Sequence, residues 1–304
     1  MTTPKISIII PTQRRPLGLA TAMASVVGQQ GVDVADLELV VVDNDAVPSA
    51  RAAVEALQAP FPIAYVHEPV AGVANARNAA MGVAKGQFIA FLDDDEEAPP
   101  HWLAALLEVQ ARFDADAVFG PVRGRAPDTI KLHRPYLESF FSRHGPAEAG
   151  LLEDYYGCGD SLVRRSAMPD PHRPFSALRN FIGGEDDMLF GQMKAAGARF
   201  AWAPQAWVWE DPIPDRLSLR YAIPRAFAYG QGPSSAAAVR ADRLGVARWM
   251  AIGLVQAAVF GLVAGAKWLV RAPDRAWALD RAARGLGKTL WWGPFKIGFY
   301  GRTA

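Results

Sequence analysis

Three consecutive acids, Asp93-Asp94-Asp95, follow the apolar run Phe88-Ile89-Ala90-Phe91-Leu92. Carboxylates gathered at the end of a buried strand, with no Lys or Arg adjacent in sequence, repel one another unless a cation joins them. A hard divalent ion held by one or two carboxylates plus diphosphate oxygens resolves the conflict; a solvated acidic loop is the plainer resolution. Asp43-Asn44-Asp45 follows a second apolar run, residues 37–42. Side chains of these types can bond a ribose or a base edge, or close an Asx turn. The stretch 71–78, Ala-Gly-Val-Ala-Asn-Ala-Arg-Asn, opens a helix. Gly72 permits close approach, a helix N-terminus favours anions, and Arg77 can add a charge-assisted bond to phosphate; the plainer role for Arg77 is a surface side chain. Glu185-Asp186-Asp187 follows Gly183-Gly184 ahead of another helical stretch. Capping and the helix dipole need only one of these acids, so a second that faces a cleft is available as a general base.

The segments between these groups alternate in kind. Residues 6–10 form a short β-branched run ended by Pro11, which reads as a buried strand. Helical spacing at 17–29, 48–57, 73–84 and 101–113 alternates with strand-like runs at 37–42, 63–66 and 88–92, and Leu103, Leu106 and Leu107 share one helix face. This order predicts an α/β fold with a mostly parallel sheet covered by helices on both faces. Ligands of such sheets bind beyond the carboxyl ends of the strands, where residues 12–15, 43–45 and 93–95 all fall. From 120 to 205 the pattern loosens, with strands expected at 161–163 and 200–203 and a helix at 188–196. Residues 216–229, rich in Arg and aromatics, read as a further helix.

The 304 residues carry 32 Lys and Arg against 31 Asp and Glu, a formal charge of +1. That balance argues against a general nucleic-acid partner. It conceals an asymmetry: residues 240–304 hold eleven basic against three acidic side chains. Within them, 249–270 is apolar except for Gln256 and Lys267, and at ~1.5 Å per residue a helix of that length matches a bilayer core of roughly 30 Å. Gly253, Gly261, Gly265 and Gln256 weaken a true span. Arg271, Arg275, Arg281, Arg284 and Lys288 follow, then Trp291, Trp292, Phe295, Phe299 and Tyr300 interleaved with Lys296 and Arg302. Basic and aromatic residues together favour the membrane interface; a helix covering the sheet or a dimer face is the other reading. The apolar run at 6–10 is too short for a signal peptide, so the chain is expected to begin in the cytoplasm. The single cysteine, Cys158, forbids an intramolecular disulfide and reads as a small buried residue.

In combination these motifs resemble the family 2 glycosyltransferases of the GT-A fold, inverting enzymes that use nucleotide sugars. The matching residues are Ile8-Ile9-Ile10-Pro11-Thr12 with Arg14, Val41-Val42-Asp43-Asn44, Gly72 with Ala76-Arg77-Asn78, Phe91-Leu92-Asp93-Asp94-Asp95, Gly157 to Arg165, and Gly184-Glu185-Asp186. The stretch from Ala71 to Glu96 further resembles bacterial exopolysaccharide glycosyltransferases of the succinoglycan type. The resemblance implies a nucleotide pocket of Pro11, Thr12, Arg14, Asp43 and Asn44, with Arg77 near the base or diphosphate. It implies an Asp-x-Asp motif in which Asp93 faces the ribose and Asp95 binds Mg²⁺ or Mn²⁺. Asp94 competes for these roles, because the triplet leaves the register open. Asp186 would be the general base, with Glu185 the runner-up. Where many members place a metal-binding His, this chain has Glu210, which can bind the ion or pair with Arg216 or Arg225.

The implied reaction moves a sugar from a nucleoside-diphosphate donor, UDP-linked by preference, to a glycan or polyprenyl-lipid-linked acceptor in surface polysaccharide synthesis. The implied location is the cytoplasmic face of the inner membrane, peripheral or monotopic. The implied organisation is a nucleotide-sugar half at 1–119, an acceptor and catalytic half at 120–239, and a helical membrane-associating tail at 240–304. A non-catalytic scaffold or sugar sensor that kept the fold is the alternative. A nucleotidyltransferase would carry a Gly-rich basic loop after the first strand, which residues 11–16 lack.

Overall fold

A computed structural model describes residues 5–180 and 183–297. Phe299, Tyr300 and Arg302 of the tail, and the first four residues of the N-terminal stretch, lie outside the described residues. In chain order the elements are β1 (Ile6–Thr12), α1 (Pro16–Val27), β2 (Leu37–Asp43), α2 (Arg51–Ala56), β3 (Ile63–His67), α3 (Val73–Val83), β4 (Phe88–Phe91), β5 (Glu96–Glu97), α4 (Trp102–Phe113), β6 (Ala117–Phe119), β7 (Val122–Gly124), α5 (Arg134–Phe140), β8 (Gly150–Leu152), β9 (Ser161–Arg164), α6 (Glu185–Ala195), β10 (Phe200–Trp202), β11 (Val208–Glu210), α7 (Leu219–Val239), α8 (Arg243–Leu269) and α9 (Arg275–Thr289). Two compact units result. Among the described residues, one comprises 5–123 and 142–211, the other 124–141 and 212–297.

The first unit is built on an eight-stranded sheet in the order β3-β2-β1-β4-β9-β6-β10-β8. β1 pairs in parallel with β2 and β4, and β2 with β3, as the alternation of strands and helices requires. Ile8 and Ile10 face a layer that includes Leu19 and Met23 of α1 and Trp102 and Leu106 of α4. Ile9 faces the opposite layer, with Ala76 and Ala80 of α3 and Leu189 and Phe190 of α6. A strand buried on both faces loses the polar alternation of a half-exposed one, which is why β1 and β2 read as continuous apolar runs.

The second half of this sheet is mixed. β10 runs parallel to β6, but β9 runs antiparallel between β4 and β6, and β8 antiparallel to β10. The reversal at β9 matters for the site. Its first residue, Ser161, pairs with Phe91, the last of β4. The loop entering β9 is thereby placed at the same sheet edge as the acid triplet. A small second sheet, β5-β11-β7, sets Glu210 opposite Glu96. α6 begins at Glu185, after Gly184 in the left-handed region, so the three acids form its first turn instead of preceding it.

The second unit is helical. Ala126, Tyr136, Leu137, Leu217, Ala222 and Ala276 form its buried cluster. α7 extends well beyond the segment expected at 216–229 and continues through Pro224 and Pro233. α8 begins at Arg243, ahead of the apolar stretch expected from 249.

Candidate active site

The acids after β4 face different surroundings. Asp94 points inward: Thr12 Oγ1 donates to its Oδ2 at 2.7 Å, and Arg15 Nη1 donates to its Oδ1 at 3.0 Å. The same Arg15 nitrogen reaches Asp95 Oδ2 at 2.5 Å. Burial pushes the Asp94 carboxyl up to about 6, against the pull of Arg15. The Asp93 side chain is 38 % exposed, against 10 % for Asp94 and 14 % for Asp95, so Asp93 faces outward most. Its backbone N–H donates to Glu96 Oε2 at 2.8 Å. Glu96 is itself buried, and burial beside Asp93 and Asp160 raises its carboxyl well above the usual range.

Arg77 ties this group to α6. Its Nη2 donates to Asp93 Oδ1 at 3.2 Å and its Nη1 to Glu185 Oε1 at 2.8 Å. The guanidinium is buried, with the Phe175 ring centroid 5.6 Å away. Burial raises the Glu185 carboxyl while Arg77 opposes the shift. Asp186, next in sequence, is only half-buried. Its Oδ2 accepts from the backbone N–H of Cys158 at 3.3 Å.

The loop 157–160 runs from one carboxylate to the other. At Gly159 a Cβ would lie 2.7 Å from Asp93 Oδ2 and 3.1 Å from Glu96 Oε1, so the backbone passes where no side chain fits. Arg143 fixes the loop, donating to the carbonyls of Gly157 and Asp160 at 3.0 and 2.9 Å and to Gly120 O at 2.9 Å. Asp160 is fully buried beneath it and accepts from Trp102 Nε1 at 2.7 Å; burial lifts its carboxyl to about 7. Cys158 is buried, which pushes its thiol well up, consistent with a packing residue.

The other expected contacts are placed at the same edge but are committed locally. Asp43 accepts from the N–H groups of Ser49 and Ala50 at 2.6 and 2.7 Å and from Tyr65 OH at 2.9 Å. Asn44 donates to the carbonyls of Glu68 and Val70 and accepts from Gly72 N–H at 2.7 Å, clamping the approach to α3. Arg14, in the left-handed region at φ 57°, forms a two-pronged pair with Asp45, with both contacts at 2.9 Å. Pro11 and Thr12 end β1 beside Val42 and Asp43. The first amides of α3 are engaged too: Asn180 Oδ1 accepts from Ala74 and Asn75 N–H at 3.0 and 3.2 Å. Arg77 likewise faces carboxylates rather than an open surface.

Sequence reasoning passed over Arg15, Arg143 and Asp160. The only early signal for Arg15 was its place in the polar run after β1; nothing local pointed Arg143 toward a loop that follows it.

Among the described residues, no group of three or more His, Cys, Asp or Glu side chains is arranged to enclose a metal ion. A cation that keeps its waters and takes substrate phosphate oxygens needs only one or two carboxylates. The oxygen donors of Asp93 and Asp95 fit that requirement. It is the backbone of Glu210 that lies near this edge: it pairs with Glu96, and the next residue's N–H, Asp211, donates to Asp95 O at 2.8 Å.

Residues 7–170 match the family described as "Glycosyl transferase family 2". The chain is 40% identical over 230 residues to the succinoglycan biosynthesis protein ExoM of Rhizobium meliloti, covering 74% of this chain and 73% of that protein. It is 28% identical over 217 residues to ExoO of the same organism, covering 67% and 59%. Among solved structures, S. aureus TarS 1-349 in complex with UDP superimposes with a TM-score of 0.55 at 16% identity, over 93% of this chain and 89% of that one. The same fragment in complex with UDP-GlcNAc gives 0.53 at 18%, over 68% and 58%. These structures share the GT-A fold, with its mixed sheet flanked by helices. The family match and the extended identity to ExoM place the chain in glycosyl transferase family 2, as a glycosyltransferase.

Proposed function

We propose that this glycosyltransferase moves a sugar from a nucleoside-diphosphate donor, UDP-linked by preference, to a hydroxyl of a glycan or polyprenyl-lipid-linked acceptor during assembly of a bacterial surface polysaccharide. The names of relatives support this reading. Besides ExoM, a 34% identical stretch of 105 residues is shared with the Escherichia coli UDP-Glc:alpha-D-GlcNAc-diphosphoundecaprenol beta-1,3-glucosyltransferase WfgD, over 34% of this chain and 39% of that enzyme. The observation that carries the mechanism is the loop 157–159, which touches Asp93 at one end and Asp186 at the other.

Asp186 is the base that takes the proton of the attacking acceptor hydroxyl. Its half-exposed carboxylate favours it over Glu185, which is buried against Arg77. Attack from the face opposite the leaving diphosphate inverts the anomeric carbon and needs one base, whereas a retaining hydrolase needs two carboxylates about 5 Å apart around the sugar. Asp95 would hold Mg²⁺ or Mn²⁺, with Glu210 as the additional carboxylate and Asp93 toward the ribose. When bound, the ion supplies positive charge against that building on the leaving group. Pro11, Thr12, Arg14, Asp43 and Asn44 shape the nucleotide side, with the rigid loops of Asp43 and Asn44 setting its walls. Asp94 holds Thr12 and Arg15 in place.

In this reading residues 1–119 serve the donor, 120–239 the acceptor and catalysis, and 240–304 the membrane surface, at the cytoplasmic face of the inner membrane.

Thermal shifts with UDP and GDP, each with and without Mn²⁺, test the donor side. Stabilisation by UDP that requires Mn²⁺ and disappears in Asp95→Asn is expected; equal shifts with and without metal in both proteins would remove Asp95 from the metal. For the base, Asp186→Asn should lower transfer by about 10²–10⁴-fold while leaving the UDP shift intact. Full transfer by that variant would assign the proton to another group.

A further inference from the structure

We infer that α8 lies in the plane of an anionic phospholipid surface, with one apolar face sunk into it, and does not cross the bilayer. This rests on the membrane-surface reading above and sharpens it. α8 is 27 residues long and apolar, with 17% of its most apolar stretch buried within the protein. Leu244, Val255, Leu262 and Leu269 recur at helical spacing on one face and are all exposed, as are Leu254 and Val259 beside them. Length and composition alone suit either a span or a surface helix.

The neighbour on the other face decides between them. α9 runs antiparallel along nearly the whole of α8. Thr289 Oγ1 donates to Met250 O at 3.3 Å near one end, and the Arg275 guanidinium lies 4.9 Å from the Trp268 ring at the other. Backbones meet closely between: a Cβ on Gly285 would lie 2.5 Å from Ala257 N and 2.8 Å from Gly253 O. At the midpoint of α8, Gln256 Nε2 donates to Arg281 O at 2.8 Å and Lys288 Nζ donates to Gln256 Oε1 at 3.0 Å. The Arg281 guanidinium sits 5.2 Å from the Phe260 ring. If α8 spanned a bilayer, Arg281 and Lys288 would be carried to its centre, where charged side chains are costly. Laid flat, α8 keeps α9 and its charges on the water side and offers only its apolar face to lipid.

Charge and aromatic placement complete the match. Arg243 and Arg248 flank one end of α8, and Lys267, Arg271 and Arg275 the other, within a tail of eleven basic and three acidic residues. Basic side chains at both ends suit an anionic headgroup layer. Trp268, Trp292 and Phe295 are exposed, as interfacial anchors are.

The test uses the full chain with vesicles of phosphatidylcholine alone or mixed with phosphatidylglycerol. Flotation should show binding that rises at least ~10-fold with phosphatidylglycerol, weakens with salt and is released by alkaline carbonate. Val255→Glu combined with Leu262→Glu should abolish it without lowering the melting temperature. Depth is read from an environment-sensitive label on Val255→Cys, Val259→Cys and Leu269→Cys, since the native Cys158 is buried. All three labels should be quenched best by nitroxides near the headgroups. Deepest quenching at Val255→Cys and Val259→Cys, with carbonate-resistant binding, would establish a span and overturn the in-plane arrangement. A folded protein that binds no vesicle would remove the membrane reading itself. A soluble dimer that the double variant makes monomeric would assign the face to a second copy.

Discussion

Two arginines, Arg15 and Arg77, neutralise the acids after β4, and they do so under different conditions. Arg15 faces Asp94 and Asp95 with its side chain 19 % exposed; Arg77 faces Asp93 and Glu185 with 5 % exposed. A cation at the rim can trade one anionic partner for another when a ligand arrives, because water and ligand both reach it. A cation sealed among α3, Phe175 and α6 has no such exchange open to it, and its Nε has no partner even in this state. Arg15 is therefore the adaptable counter-ion at the sheet edge, and Arg77 the fixed strut that holds the start of α6 against Asp93.

That contrast is open to measurement. The largest effect is expected from Arg77→Ala, which strands Glu185 as a buried acid without its counter-charge. Loss of one partner of a buried pair costs about 3–5 kcal/mol, read as unfolding free energy in urea. Arg15→Ala should cost less, about 1.5–3 kcal/mol, as loss of charged hydrogen bonds at a partly wet site. Its larger consequence should be altered metal-dependent UDP binding, measured by calorimetry. If Arg15→Ala destabilised the fold more than Arg77→Ala, the distinction between strut and adaptable counter-ion would fall.

The smallest effect is a pH dependence at Asp94. Its carboxyl titrates near 6 in the folded protein and near 3.8 when unfolded. The folded state therefore binds more protons between those values, and stability contributed by neutral Asp94 is present below the unfolded value and lost as pH rises through about 6. Relative to Asp94→Asn, the wild type should lose stability from pH 4 to pH 7, by no more than about 3 kcal/mol at ~1.4 kcal/mol per pH unit. Denaturant titrations across that range would show it, and a flat difference would mean that Arg15 keeps Asp94 charged throughout.

The sequence disclosed these regions unevenly. β1, β2 and β4 were legible because doubly buried parallel strands are written as unbroken apolar runs. β6, β8 and β11 have three residues each, too few to display a period. The polar edge was legible as a place, yet the direction of each side chain was not. Arg14 and Arg15 are adjacent, but the left-handed backbone at Arg14 sends one to Asp45 and the other to the triplet. Asp43 announces itself by position, and only the folded loop reveals that its oxygens serve Ser49, Ala50 and Tyr65. The acids at 185–187 were legible as caps and dipole partners of a helix, but the regular helix was expected only from 188, and α6 takes all three into its first turn.

The side chains joining α3 to the segment before α6 carry a kinetic consequence. Asn78 exchanges two hydrogen bonds with the backbone of Phe175, 97 residues away; Asn180 reaches Ala74 across 106 and Arg77 reaches Glu185 across 108. Such contacts reward the chain only after long loops have closed, whereas β1, β2 and α1 lie close together in sequence. The β1–α1–β2 segment is thus positioned to form early, and the contacts that join α3 to the start of α6 to condense afterwards. Weakening the Asn78 clip would then hasten unfolding far more than it delays folding.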